Sequence, residues 1–326
     1  MASAEGRPQP GPGTVPSPAR IWLALGTVYL LWGSTYLGIK YAIETIPPLL
    51  MGSARFLVAG GVLYALAMRR GGGQTDRVGA TQWLAALLIG GALLLGGNGG
   101  VILAERNVPT GVVALLVATA PLWMAILDRV IFRRHLPGLA ILGLVIGFGG
   151  VAFLIGSPGS GRINLAGAAL GLVAPLCWAS GSVFTRHVKL PARPLVASAM
   201  EMLCAAGLFF IAAVLAGELG HLHLQAISTT SLLALVYLIT FGSLVGFSAY
   251  VWLLRSAPLS LVSTYAYVNP VVAVILGALF LNEALSPRTV IAGGIIIAAV
   301  ALIVVARQRA LQVKASPAPP VAPALR

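Results

Sequence analysis

Charge is what this chain has least of. Only 9% of its 326 residues are Asp, Glu, Lys or Arg, and eight of those are acidic. With hydrophobic residues at 58%, so little charge cannot dress the surface of a water-soluble domain of this length. Cysteine is nearly missing too. Cys177 and Cys204 fit neither a disulfide framework nor the spacing of a zinc site, so each reads as a small apolar residue. The four histidines, His135, His187, His221 and His223, stand at the ends of apolar stretches or between them without a ligand partner at helical spacing, and neither metal nor cofactor is expected. No Gly-rich phosphate loop followed by Lys and Ser or Thr occurs, which argues against an ATP-driven pump. A membrane-embedded enzyme would need clustered His, Asp, Glu or Cys at one membrane face, and a channel would need charged rings or a filter loop; the sequence offers neither.

What is present is length and apolarity in blocks. Stretches of about 20 apolar residues are long enough to cross a bilayer as helix, the only open-chain way to satisfy the backbone there. Breaks at Gly, Pro and charge clusters predict ten spans, near 21–40, 49–68, 82–104, 110–131, 137–156, 164–185, 195–216, 231–253, 259–281 and 289–306. The fold expected is an all-α membrane protein. Residues 1–19, rich in Pro and Gly, and the stretch from 308, rich in Pro and Ala toward 326, bury too little to order themselves and should be flexible tails. The first span runs on through Trp32 to Lys40 without a small-residue cleavage site, so it is expected to stay in the protein.

The net charge of +13 is a matter of placement rather than of nucleic-acid binding. With the N-terminus in the cytoplasm, sixteen Lys and Arg fall inside, four fall outside (Lys40, Arg106, Arg162, Arg288), and Arg55 lies within a span. Such a bias places both termini in the cytoplasm.

The chain also repeats itself. Trp32, Pro48 and Arg55 correspond to Trp178, Pro194 and Glu201 at a spacing of 146, and Pro109 and Pro121 to Pro258 and Pro270 at 149. A constant offset with one small shift marks a duplicated unit. The two units are residues 20–156 and 157–307, each of five spans. Because five is odd, the second unit enters the membrane inverted, as in secondary transporters. Arg133 and Arg134 at the end of span four correspond to Asn282 and Glu283 at the end of span nine, the loss of Arg that inversion requires.

Trp32-Gly33-Ser34-Thr35-Tyr36, the run Gly97-Asn98-Gly99-Gly100 through Glu105 to Pro109, Ala120-Pro121, and Asn269-Pro270 followed by Gly277 and Glu283 together resemble the EamA family of the drug/metabolite transporter superfamily. Pro47-Pro48, Asn107-Val108-Pro109 and Tyr265 to Pro270 are similar to a branch of inner-membrane exporters within it. The resemblance implies export of small metabolites, amino-acid-like compounds or drugs from a bacterial cytoplasmic membrane by a monomer or homodimer, with a small-molecule substrate, the lipid bilayer and protons as its partners. Uptake or facilitated diffusion is the alternative within the superfamily.

Candidate site residues follow from depth and polarity. Pro121 and Pro270 fall near mid-span and each removes a helix hydrogen bond, at the carbonyls of Val117 and Ala266, so spans four and nine are expected to kink beside the pathway. Tyr265 and Asn269, four apart, share a helix face and suit a zwitterionic or amide-bearing solute; an interhelical hydrogen bond would serve Asn269 equally. Asn98, alone among glycines, either bridges helices or meets a ligand. Trp32 and Trp178, with Ser34, Tyr36 and the serines after Trp178, are read as walls and gates, against the alternative of interfacial anchors. Glu201 is the candidate proton-coupling carboxylate, because burial raises the affinity of a carboxylate for its proton; the competing reading is a structural hydrogen bond in a protonated or lipid-headgroup-facing state. Glu105 and Glu283 are expected to cap or anchor span ends.

Overall fold

A computed structural model describes residues 17–69, 78–133, 135–155, 164–257, 259–262 and 264–315. Among these residues every regular element is helical. Nine runs are long and apolar enough to cross a membrane: α1 (Pro18–Ala42), α2 (Pro48–Arg69), α3 (Ala80–Ala104), α4 (Thr110–Val130), α5 (Gly138–Ile155), α6 (Leu165–Phe184), α7 (Pro194–Leu215), α8 (Thr229–Leu253) and α10, whose apolar part is Pro287–Ala306. A tenth, α9, is a short turn, Leu259–Val262, followed by Tyr265–Phe280. Helix α10 continues to Ala315, so the tail expected from 308 begins as helix. No Gly or Pro interrupts 307–315, and its Arg, Gln, Ala and Leu are good helix formers.

Helix starts explain much of the local order. Helices α1 and α7 open on Pro18 and Pro194, where a missing N–H costs nothing. Asn164 and Ser228 accept from Gly167 N (3.0 Å) and Ser231 N (3.1 Å), capping α6 and α8 locally. Helices α2 and α4 are capped from afar. Glu218 accepts from Leu49 N (2.9 Å) and Leu50 N (3.0 Å), while Glu283 accepts from Thr110 N (2.6 Å) and Gly111 N (3.0 Å). A carboxylate on a helix N-terminus satisfies orphan donors and meets the positive end of the dipole.

These caps gather segments 43–47, 105–109, 216–228 and 281–286 on one face, where Tyr41 OH also donates to Phe280 O (3.1 Å). Glu44, Glu105, Glu218 and Glu283 lie there, and we call it the acidic face. At the opposite, basic face, Arg193 donates to Ala67 O at the end of α2 (2.6 Å).

Packing follows an exchange in which α1 to α5 take the places of α6 to α10. Helix α2 packs on its counterpart α7, α4 on α9 and α5 on α10; α1 packs on α8 and α9 as α6 packs on α3 and α4. Small residues permit the approach: a Cβ at Gly143 of α5 would stand 2.7 Å from Ile303, and one at Gly52 of α2 would stand 2.6 Å from Phe209. Two irregularities obey the same exchange. Wide π turns occupy Gly91–Gly99 in α3 and Leu238–Val245 in α8, and left-handed backbone occurs at Arg133 (φ 50°) and Asn282 (φ 52°) after α4 and α9.

The proline breaks differ from the expectation of twin kinks at Pro121 and Pro270. In α4 the helix ends at Val117 and restarts at Ala120, with Pro121 in the new first turn and Thr119 Oγ1 donating to Leu116 O (2.6 Å). In α9 the new helix starts at Tyr265, and Pro270 lies inside it. The break therefore sits one turn nearer the basic face in α9 than the proline spacing implied. A further proline inside a helix, Pro175 of α6, has no counterpart in α1.

Candidate functional site

A packed aromatic group is built on Trp32, near the middle of α1. Its ring meets Phe247 (5.6 Å), Tyr250 (5.0 Å) and Tyr265 (5.3 Å, edge-on), and Tyr250 meets Tyr265 in turn (5.7 Å). Edge-to-face rings pair the positive rim of one with the negative face of the next. Gly246 makes this possible, since a Cβ there would stand 2.6 Å from the indole nitrogen of Trp32. One residue along α1, a Cβ at Gly33 would meet Val272 at 2.6 Å and Asn269 O at 3.2 Å, so α1 and α9 touch backbone to backbone where Asn269 sits. Asn269 is 8% exposed, and its Oδ1 has no hydrogen-bond partner. An orphaned acceptor in apolar surroundings costs about 1–3 kcal/mol. It is the kind of group that a ligand donor would satisfy.

Tyr36, one turn beyond Trp32, lies within electrostatic reach of both Tyr265 and the Glu105 carboxylate. Thus Trp32, Tyr36, Tyr265 and Asn269, four of the residues singled out from sequence, converge with Phe247 and Tyr250. Ser34 faces elsewhere, sharing a 2.6 Å hydrogen bond with Tyr237 of α8 and donating to Leu31 O and Leu30 O. Asn98 is half-buried in the π segment of α3, and Trp178 packs over the neighbouring Gly97, whose Cβ would stand 3.1 Å from the indole. Ser180 and Ser182 return their hydroxyls to Leu176 O and Trp178 O, bonds internal to α6. The structure does not bring Trp178 or Asn98 to Trp32.

Arg55, 3% exposed, donates from Nε to Ser243 Oγ in the π segment of α8 (3.0 Å) and lies 5.0 Å over the Phe56 ring, with Nη1 unpartnered. Its counterpart Glu201, 9% exposed, presses its backbone on Gly90 of α3 and has Cys204 beside it, neither of them part of the Trp32 group.

Glu283 fulfils the expectation of a helix cap; Glu105 does not. Glu105 is 0% exposed, and both carboxylate oxygens lack a partner. Lys40 Nζ donates 2.6 Å to its backbone carbonyl instead. Just past the end of α3, its carboxyl is pushed well above the usual carboxylate range by burial, with Lys40 opposing the rise and Glu283 adding to it.

Sequence reasoning passed over Phe247, Tyr250, Ser243 and Glu218. A Gly246-Phe247…Tyr250 stripe at helical spacing was the available signal for the first two; Glu218 gave none, because its partner is 169 residues away.

Apolar helices in mutually exchanging pairs, packed around a half-buried aromatic group and a buried amide, make this a multi-pass membrane protein. Residues 20–156 and 165–305 each match the EamA-like transporter family, and the chain belongs to that family. It is 40% identical over 282 residues to the "Uncharacterized inner membrane transporter YedA" of Escherichia coli strain K12, covering 86% of this chain and 89% of that one. Protein PecM of Dickeya dadantii is 28% identical over 278 residues, covering 84% and 88%. A solved crystal structure matches with a TM-score of 0.61 at 20% identity, over 88% of this chain and 98% of its own, a likeness of fold.

Proposed function

We propose that the protein is a secondary transporter, and not an enzyme, that exports a small metabolite, amino-acid-like compound or drug across a bacterial inner membrane by alternating access. In this reading the two five-span repeats are inserted in opposite orientation, both termini are cytoplasmic, and the acidic face is external. The solute lies among Trp32, Tyr36, Tyr250, Tyr265 and Asn269, where an aromatic surface adjoins one amide that lacks a partner. The single observation that carries the reading is Asn269 Oδ1, buried and unpartnered at the contact of α1 with α9. Rocking of one repeat against the other would part this contact and open a chamber around Trp32 to each face in turn. Its inner-membrane setting follows YedA, and proton coupling through a buried carboxylate supplies the driving force.

Reconstitution in liposomes with a panel of amino acids and cationic dyes, with and without a pH gradient, tests this. Movement of at least one solute that is reduced by Asn269→Ala is expected; no movement of any solute under any gradient would sink the reading.

A further inference from the structure

Glu105 poses a question that the chamber does not answer. A carboxylate with no exposure and two unpartnered oxygens must be neutral, paired or occupied. The groups that face it are few. Helix α1 brings Lys40 and Tyr36, and the segment after α9 brings Glu283. Helix α6, packed along the last turn of α3, holds only Cys177 among titratable groups, and that thiol lies against Gly96. From α2 comes Arg55, bonded to Ser243, and the first half of α4, Thr110–Val117, carries no titratable side chain. Lys40 places one of its three donors on the Glu105 backbone carbonyl and none on the carboxylate, and Glu283 is held by two backbone N–H groups. Neither hydrogen-bonds the Glu105 carboxylate as the helices stand.

A charged amine or a metal ion would need a void beside these oxygens, and their full burial leaves none. A proton needs no void. We propose that Glu105 is a proton-binding site of the transport cycle, protonated while the acidic face is closed over it and ionised when that face opens to water and to Lys40. Closure takes one proton from water onto a Glu105 oxygen, and opening returns it; no other bond forms or breaks. This gives to Glu105 the role that the sequence offered to Glu201, and its part in a cycle rests on the transporter reading above.

Infrared spectra of the full chain in lipid nanodiscs test the site without any solute. At about pH 7, where an exposed carboxyl is ionised, the wild type should show the carbonyl band of a protonated carboxylic acid. That band should lose its Glu105 component in Glu105→Gln and keep it in Glu201→Gln. Because Gln resembles the protonated acid, Glu105→Gln should unfold at the wild-type temperature or above it. Flux of any solute found by the liposome panel should vary with pH in the wild type and in Glu105→Asp, by up to about tenfold per unit for a single proton, and be flat in Glu105→Gln. Absence of the band from the wild type, an undiminished band in Glu105→Gln, a marked loss of stability in that variant, or an unchanged pH profile would each overturn the proposal. If the wild type moves no solute, the transporter reading fails while the infrared result still decides whether Glu105 holds a proton.

Discussion

Trp32 and Trp178 stand at equivalent places in the two halves, and each lies over a glycine of a helix from the other half: Gly246 for Trp32, Gly97 for Trp178. Around Trp32 gather three aromatic rings and a buried amide oxygen without a partner. Trp178 packs over Gly97 and against the hydrophobic core, and the serines nearby are satisfied within their own helix. The backbone has kept its twofold plan while the chemistry has gone to one side. Duplication supplies two frames for a site, and in the proposed reading this chain has equipped one of them.

Five substitutions would break or sharpen that contrast. Trp32→Ala removes three ring contacts, each worth about 0.5–1.5 kcal/mol beyond burial, and should cut flux in proteoliposomes by at least about tenfold. Trp178→Ala should cost comparable thermal stability, about 3 kcal/mol or less because the ring is only half-buried, yet leave flux within about twofold; equal loss of flux in both would erase the distinction. A smaller effect is expected at the caps. Glu283→Ala should destabilise by about 0.5–2 kcal/mol, more than Asn164→Ala, because its carboxylate holds two N–H groups of α4 and joins the two halves. Chemical unfolding in detergent measures the difference. The smallest change in stability belongs to Asn269→Leu. It removes an unsatisfied acceptor, so the unfolding temperature should hold or rise while solute affinity falls; a clear loss of stability would show that the amide serves helix packing instead.

The spans, the repeat and four members of the group around Trp32 were legible because each is written locally, in hydropathy, in a fixed offset and in residues four apart on one helix. Trp32, Tyr36, Tyr265 and Asn269 could be chosen without seeing how α1 meets α9. What escaped is non-local or concerns hydrogen-bond register. The π turns at Gly91–Gly99 and Leu238–Val245 widen the helix while leaving its apolar run unbroken, so hydropathy does not register them. The break in α9 fell before Tyr265 rather than at Pro270, since a proline removes one bond but neighbours decide where the helix yields. Glu105 and Glu283 looked alike as acids at span ends. Only the fold separates the one seated on a helix N-terminus from the one sealed away without a partner.

The long-range caps bear on how the molecule is made. Glu218 lies 169 residues after Leu49, and Glu283 lies 173 after Thr110. As the chain leaves the ribosome, the starts of α2 and α4 stay exposed until the second half has been synthesised and inserted. The first five helices are therefore provisional, and the nascent protein becomes final only when its last carboxylate arrives to close α4.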